Sequence, residues 1–119
     1  MKKILVVDDE EAFRKAISLE LNESGYEILE ANDGMEGLEQ ANRHLPDLII
    51  TDVQMDNMNG FVMVEELRQN EATSLIPIIF MTGAMFTAGA WKTATDIGYL
   101  EKPFSIEAFK ALVEKMLKL

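Results

Sequence analysis

The amino-acid sequence predicts an α/β fold class built on a doubly wound, five-stranded parallel sheet. Five short apolar runs, each bounded by turn residues, are typical of strands buried on both faces of a parallel sheet. Segments with apolar residues three and four positions apart separate these runs, and that spacing is typical of helices. Strands that alternate with helices favour the α/β class. At 119 residues, 48% of them hydrophobic, the chain fits one domain with its own core, residues 1–119.

The first part of the chain contains two predicted strand–helix pairs. The first strand, residues 4–7, leads into four consecutive acidic residues, and a helical period then covers residues 11–25. The second strand covers residues 26–31. The helix that follows, residues 34–45, stops at Pro46 because a proline ring does not fit inside a helix.

Three more strands are predicted in the second part of the chain. The third strand, residues 47–51, precedes a helix that begins near Asn59 and fades through residues 70–74. The fourth strand covers residues 77–81, and a short fifth strand covers residues 99–100. Each of these strands ends at polar or turn-forming residues, which is expected where a buried strand reaches the surface.

The two remaining helices carry signals of different strength. Residues 84–98 combine glycines and threonines, which are poor helix formers, with apolar residues that include Trp91 at helical spacing. We therefore expect a short or irregular fourth helix. The last helix has a clear start, because Ser105 is a good N-cap and Glu107 suits the positive end of the helix dipole.

Polar side chains follow four of the predicted strands at their carboxyl ends. In open α/β sheets this edge is where ligands bind. Three of these side chains are acids, and clustered acids raise one another's pKa unless a cation lies among them. Oxygen ligands with room for water suit Mg²⁺. A carboxylate between Mg²⁺ and a lysine is a candidate nucleophile for phosphorus and would form an acyl phosphate. The residues at this edge are Asp8, Asp9, Asp52, Thr82 and Lys102.

Each of these residues also has a purely structural interpretation. Asp8 and Asp9 could be a charge pair at the start of a helix, Thr82 a turn former and Lys102 a solvated surface cation. For any one residue alone, the structural interpretation is favoured. Their coincidence at one edge of one sheet favours the phosphoryl site.

Composition excludes several other functions. The chain has no cysteine, so neither a disulfide framework nor a thiolate metal site is expected. A net charge of −10 argues against direct nucleic-acid binding and leaves room for a cation or a basic protein partner. No window is long and apolar enough for a membrane span, and the start of the chain leads into a strand rather than a signal peptide. We expect a cytoplasmic protein with no membrane partner and no room for an output domain.

Five motifs, spread over the whole chain, make it similar to the receiver domains of two-component response regulators. The similarity is to chemotaxis receivers and, from residue 83 onwards, also to receivers of hybrid sensor kinases. It implies a flavodoxin-like three-layer α/β/α fold with strand order 2-1-3-4-5. The motifs are residues 4–10, 47–52, 58–60, 81–83 and 100–104.

The resemblance assigns roles at the acidic edge. It implies that Asp52 is the phosphoryl acceptor in a phosphorelay and that Mg²⁺ is the cofactor. Asp9 and Asp52 would bind the ion directly, Asp8 would act through water, and Gln54 would contribute its backbone carbonyl.

The resemblance also implies which residues bind the phosphoryl group and which take part in the conformational switch. Thr82 would hydrogen-bond the phosphoryl group, Lys102 would pair with its oxygens, and the Lys102–Pro103 peptide bond would be cis. Tyr99 occupies the aromatic switch position. The implied partners are a sensor histidine kinase or a histidine phosphotransfer protein, and a downstream protein bound through the fourth helix, fifth strand and last helix.

The resemblance also implies that the chain acts as a single-domain response regulator. Such a protein is a signalling switch that assists its own phosphorylation and dephosphorylation, and we do not expect it to be an enzyme. Two departures from the family pattern stand out. Asp56 occupies a position where many receivers have proline, and the stretch from Thr82 to Lys102 is about two residues short.

Two other functions remain as alternatives. A phosphohydrolase with Asp52 as nucleophile needs a general acid nearby, and neither Gln54 nor His44 suits that role. A flavodoxin-like binder of a phosphorylated cofactor needs a hydroxyl- and glycine-rich loop after the first strand. Residues 8–11 are all acidic there and repel phosphate.

Overall fold

A parallel sheet of five strands forms the middle layer of the protein. The structure is a computed structural model that describes residues 1–55, 57–82 and 96–118. The strand order is β2-β1-β3-β4-β5, which confirms the predicted doubly wound topology. The strands are β1 (Lys3–Val7), β2 (Glu27–Ala31), β3 (Leu48–Asp52), β4 (Ile78–Thr82) and β5 (Ile97–Glu101).

Helices cover both faces of this sheet. The described helices are α1 (Glu11–Glu23), α2 (Gly34–His44), α3 (Gly60–Arg68) and α4 (Ile106–Leu117). Helices α1 and α4 pack on one face, and α2 and α3 pack on the other. This is the predicted three-layer α/β/α arrangement. Within the described ranges, no helix is both long enough and apolar enough to cross a membrane.

Local sequence signals explain where three of the helices begin. The side chains of Asp33, Asn59 and Ser105 each accept a hydrogen bond from a backbone N–H three residues later, which satisfies a donor that the helix itself leaves unpaired. Helix α1 has no such side-chain cap. Its first turn is instead joined to the end of β1, because the Arg14 guanidinium donates to the Asp8 carbonyl oxygen at 2.8 Å.

The core is split into two clusters because successive strand residues point to opposite faces of the sheet. Ile4, Ile50 and Ile79 pack with Phe109 of α4 on one face. On the other face, Leu5, Val7, Ile49 and Phe80 pack with Met63, Val64 and Leu67 of α3. All of these side chains are inaccessible to solvent. The predicted buried character of the strands is therefore confirmed.

Most element bounds lie within one or two residues of the sequence prediction, and the larger differences concern the end of α3, the length of β5 and the segment 84–98. Helix α3 ends at Arg68, before the fading segment 70–74. Strand β5 is five residues long where two were predicted, because parallel pairing with all of β4 extends it. The predicted short or irregular fourth helix, residues 84–98, lies outside the described residues up to residue 95, and residues 97 and 98 belong to β5.

The loop after β3 packs tightly against the start of α2. A Cβ atom added to Gly34 would collide with the backbone carbonyl oxygen of Met58, a contact that only glycine permits. Next to it, the Asn57 amide donates to Asp33 Oδ2 at 2.7 Å. Asn57 has a positive φ of 69°, a conformation that asparagine tolerates better than most residues. The loop after β3 is therefore fixed by contacts with the start of α2.

We predict that Gly34→Ala will lower the free energy of unfolding by about 1–3 kcal/mol, because the new methyl group meets backbone that cannot rotate away. Gly98→Ala is the matched control. Its Cβ would meet flexible side-chain ends of Leu112 and Met116 at 3.3 Å, so we expect a change of less than about 1 kcal/mol. Urea denaturation of both variants measures the difference, and equal losses would contradict this account of the loop.

Candidate functional site

Three carboxylates meet at the carboxyl edge of the sheet. Asp8 and Asp9 follow β1, and Asp52 is the last residue of β3, the strand next to β1. One oxygen from each side chain lies within 4.8 Å of the others. Asp8 is completely buried, Asp52 is half-buried and Asp9 is exposed. The predicted acidic cluster is therefore present, and it opens to solvent on the side of Asp9.

The buried carboxylate of Asp8 is held by several donors. Its Oδ1 accepts the N–H of Glu10 at 2.9 Å, and its Oδ2 lies 3.4 Å from the Lys102 ammonium. Its own N–H donates to the carbonyl oxygen of Ala31 at 3.1 Å. A buried charge needs such partners, because burying an unpaired carboxylate would cost several kcal/mol or more. Asp8 is thus a fixed part of the site.

Asp52 has a different environment. Burial raises the pKa of Asp52, and repulsion from Asp8 and Asp9 raises it further, against the attraction of Lys102. Its Oδ1 accepts the N–H of Val53 at 2.9 Å, and its Oδ2 lies 3.9 Å from Lys102 Nζ. Ionisation of Asp52 is therefore less favourable in the folded protein than in water, and a cation at the cluster would make it more favourable.

Lys102 supplies the positive charge of the site. Its backbone N–H donates to the carbonyl oxygen of Thr82 at 2.7 Å, and the Lys102–Pro103 peptide bond is cis. The ammonium lies between Asp8 and Asp52 and 4.1 Å from the centroid of the Phe13 ring. A cation over an aromatic face is attracted by the ring. Sequence reasoning treated Phe13 only as a core residue and missed this contact, which its helical spacing could not indicate.

The other predicted site residues lie around this cluster. Thr82 ends β4 and is buried, one residue beyond Met81, the register partner of Asp52. Tyr99 stacks on Phe80 with ring centroids 5.9 Å apart, and burial raises the pKa of its phenol. Its hydroxyl oxygen is inaccessible to solvent.

Two predicted features lie in the loop after β3. Gln54 is exposed, two residues after Asp52. Asp56, the departure from the family pattern, lies outside the described residues.

Sequence reasoning identified Gly60 only as a turn residue, but it shapes the site. A Cβ atom at Gly60 would collide with the backbone carbonyl oxygen of Asp52, and the Gly60 N–H donates to the Val53 carbonyl oxygen at 2.9 Å. The first residue of α3 therefore packs directly against the backbone of Asp52. The Asn-Gly pair at positions 59 and 60 could have indicated this contact, because a helix N-cap is followed there by a residue without a side chain, which permits close packing of the backbone.

The donor set of the cluster suits a hard divalent cation. All three side chains offer carboxylate oxygens, which are the ligands that Mg²⁺ and Ca²⁺ prefer. The exposed side of Asp9 leaves room for water ligands, which Mg²⁺ retains readily. The residues present thus fit such an ion.

Fold and site together define the class of protein: a flavodoxin-like α/β domain with an acid cluster and a lysine at the carboxyl edge of its sheet. The family model for the response regulator receiver domain matches residues 4–114. The chain belongs to the response regulator receiver domain family. The resemblance seen in the sequence is confirmed, and receiver domains are signalling switches of two-component systems.

Relatives and solved structures agree with this membership. The response regulator ArlR of Staphylococcus saprophyticus is 38% identical over 122 residues, covering 99% of this chain and 53% of that protein. The alkaline phosphatase synthesis transcriptional regulatory protein PhoP of Bacillus subtilis is 36% identical over 121 residues, covering 98% and 49%. The chain thus spans about half the length of these curated relatives.

Among solved structures, the chemotaxis protein CheY4 of Vibrio cholerae superposes with a TM-score of 0.88 at 33% identity, covering 98% of both chains. The receiver domain of the hybrid histidine kinase CckA superposes with a TM-score of 0.81 at 32% identity, covering 97% of this chain and 98% of that one. Both chemotaxis and hybrid-kinase receivers are therefore similar to this chain, as expected from the sequence.

We predict that Asp52→Asn will raise the melting temperature at neutral pH in the presence of a chelator. Because folding raises the pKa of Asp52, protonation of this group favours the folded state. That contribution is fully present below the ordinary value of 3.8 and is lost as the pH rises through the raised value. The difference between variant and wild type should therefore shrink as the pH falls towards 3.8.

Asp33→Asn is the matched control for this experiment. The N–H of Glu36 and then the amide of Asn57 lower the pKa of Asp33, so its charge contributes stability above the ordinary value, and that stability is lost as the pH falls. This variant should melt below wild type at neutral pH. Thermal melts at several pH values measure both, and a lower melting temperature for Asp52→Asn would contradict the electrostatic account of the cluster.

Proposed function

We propose that this chain accepts a phosphoryl group on Asp52 in a Mg²⁺-dependent reaction and acts as a single-domain response regulator over residues 1–119. The observation that carries the proposal is the position of the Asp52 carboxylate, within 4.8 Å of Asp8 and Asp9 oxygens and 3.9 Å from Lys102 Nζ. The Asp52 carboxylate thus has a potential cation site on one side, formed with Asp8 and Asp9, and the Lys102 ammonium on the other. That combination suits transfer of a negatively charged group.

The chemistry assigns one role to each residue. An Asp52 oxygen attacks phosphorus while the bond from phosphorus to the donor breaks, so the donor leaves with the bonding electrons and an acyl phosphate remains. Lys102 pairs with phosphoryl oxygens, and Thr82 donates a hydrogen bond to them. Asp9 and Asp52, with the Gln54 carbonyl, would hold Mg²⁺, and Asp8 would act through water. The ion would neutralise charge on the phosphoryl group.

The proposed partners follow from this chemistry. The phosphoryl donor is the phosphohistidine of a sensor histidine kinase or of a histidine phosphotransfer protein. The family match supports such partners, and a net charge of −10 makes direct nucleic-acid binding unfavourable. The downstream target is a protein. Transcriptional regulation, which the name of the Bacillus subtilis relative prints, belongs to that longer protein.

A switch through Thr82 and Tyr99 is the proposed route to the target. Thr82 ends β4 and accepts the Lys102 N–H at 2.7 Å, so both residues that grip the phosphoryl group are joined by one backbone hydrogen bond. Tyr99, on the neighbouring β5, stacks on Phe80 of β4. We propose that phosphorylation draws Thr82 towards the anion and shifts Tyr99. The affected face comprises β5 and α4. The fourth helix, which the resemblance also implies for the output face, lies outside the described residues up to residue 95.

A phosphohydrolase is the second candidate, and the site gives it less support. Turnover needs a group that can donate a proton to the leaving atom. The three acids of the cluster already serve as the acceptor and the proposed ion ligands, and His44 ends α2 at the opposite edge of the sheet. A phosphoryl-accepting switch fits these residues better than a turnover enzyme.

The first test of this function is labelling by acetyl phosphate. We predict that wild type gains one phosphoryl group per chain with Mg²⁺ and none with a chelator, because the acid cluster repels the incoming dianion without a cation. Asp52→Asn should lose the label. Asp47→Asn, a change of the same type at the opposite edge, should keep it. Intact-protein mass spectrometry gives the count, and unchanged labelling of Asp52→Asn would refute the acceptor assignment.

The second test is Mg²⁺-dependent stability. An ion that binds only the folded state stabilises it by about 2.7 kcal/mol at a hundredfold excess over its dissociation constant. Melting temperature should therefore rise with Mg²⁺. Asp9→Asn should reduce this rise because it removes one of the three ligands, and it should stabilise the metal-free protein because it removes a like charge.

Glu10→Gln is the matched control, since it removes the same charge from the adjacent residue, which lies outside the carboxylate cluster. It should leave the Mg²⁺-dependent rise close to that of wild type. Equal reductions in the two variants would show that the ion responds to general negative charge and has no specific site at the cluster.

A further inference from the structure

A second concave site lies at the amino ends of the strands, across the sheet from the acid cluster. Its volume is about 410 Å³. Four of its lining residues immediately precede or lie just before strands, and the rest come from the loop before β4 and the end of α4. The residues that matter for its chemistry are Lys2, Leu75, Pro77, Lys115, Met116 and Lys118.

The three lysines of this site lack a carboxylate partner within the described ranges, as does Lys3, whose ammonium donates to the His44 carbonyl oxygen at 3.4 Å. In the described ranges, ion pairs with carboxylates involve Arg14, Lys15, Arg43, Arg68, Lys102 and Lys110. Lys2, Lys115 and Lys118 form none within those ranges, yet all three line the same cavity. In a chain with a net charge of −10, such a concentration of unpaired ammonium groups creates a local positive potential.

The two acids of the cavity offset the charge of these lysines only in part. Asp96 Oδ2 is 2.9 Å from the Arg68 guanidinium, and Asp47 Oδ2 accepts the backbone N–H of Lys3 at 2.8 Å. The guanidinium compensates the charge of Asp96, but the neutral N–H of Lys3 does not compensate that of Asp47. The lining therefore carries three ammonium groups against one uncompensated carboxylate and is positive on balance. Part of the lysine arrangement suits the negative end of the α4 dipole. Lys2 precedes β1 and has no such role.

The floor of the cavity is apolar. Met116 and Leu117 are buried core residues, and Pro77 lies at the start of β4. Leu75 is 85% exposed and leaves a large apolar side chain at the rim. Contact with an apolar ligand would remove this surface from water and stabilise the complex.

We propose that this cavity binds a small organic anion with an apolar body, held by Lys2, Lys115 and Lys118 at its acidic group and by Leu75 at its apolar part. Ligand pockets typically have volumes of about 300–1,000 Å³, and a concave site of the present size suits a compact molecule better than a flat protein surface. The site shares no residue with the acid cluster. Variants of this site can therefore be tested separately from those of the proposed phosphoryl site.

The probe for this site is anilinonaphthalene sulfonate, an apolar ring system with one permanent negative charge and strong fluorescence in apolar surroundings. We expect saturable binding to one site. The double variant Lys2→Gln/Lys115→Gln should weaken binding about fivefold to tenfold, since each exposed lysine contributes a modest charge interaction. The neutral phenylnaphthylamine, which lacks the sulfonate, should bind more weakly to wild type than the anion does.

Matched controls separate this site from general attraction to the surface. Lys15→Gln/Arg43→Gln makes the same change in net charge at exposed residues outside the cavity and should leave the affinity unchanged. Leu75→Ser should weaken binding, whereas Leu19→Ser, at a residue that is 60% exposed on α1, should not. Equal losses in the cavity and control variants would overturn the proposal.

Amide chemical shifts in a titration locate the probe directly. Shifts at residues 75–77 and 115–118 support the proposal. Shifts spread over the whole chain, binding that does not saturate, or binding of an acidic peptide at these residues with no binding of the small anion would each overturn it. The cavity variants should keep the Mg²⁺-dependent rise in melting temperature. Failure at the cavity is thereby distinguished from failure of the proposed phosphoryl site.

Discussion

The close approach of three carboxylates at one edge of the sheet is the constraint on which the rest of the site depends. Parallel pairing of β1 with β3 fixes the separation of the backbones that carry them, so the side chains cannot drift apart as surface acids do. Repulsion in this half-buried setting favours any arrangement that adds positive charge. The cluster is thus both a local source of instability and the feature on which the proposed binding of a cation and a phosphoryl group rests.

The surrounding structure compensates this repulsion with groups that come from distant parts of the chain. Lys102 brings an ammonium to Asp8 and Asp52, and the Phe13 ring lies beneath that ammonium. Backbone N–H groups of Glu10 and Val53 complete the hydrogen bonding of the two acids. Because these contacts are fixed by β1, β3 and the turn after β5, the site is largely formed before any ion or phosphoryl group arrives.

Opposite edges of the same sheet therefore differ in charge. Three acids and Lys102 lie at the carboxyl edge, whereas the cavity at the amino edge is lined by two acids and by three lysines that have no carboxylate partner in the described ranges. A parallel sheet makes this separation possible, since all its strands begin at one edge and end at the other. The two proposed ligand sites therefore share no residue, and each can be varied separately.

Local sequence patterns by themselves determined the buried strands, the helix caps at Asn59 and Ser105, and the position of Asp52 at the end of β3, since each depends on residues a few positions apart. The motif resemblance, which periodicity could not replace, supplied the strand order. Tertiary structure alone decided the contact of Lys102 with Asp8, 94 residues away, and the length of β5. It also decided the hydrogen bond between Asn57 and Asp33. Such contacts depend on how separate elements pack together, and no local spacing records that geometry.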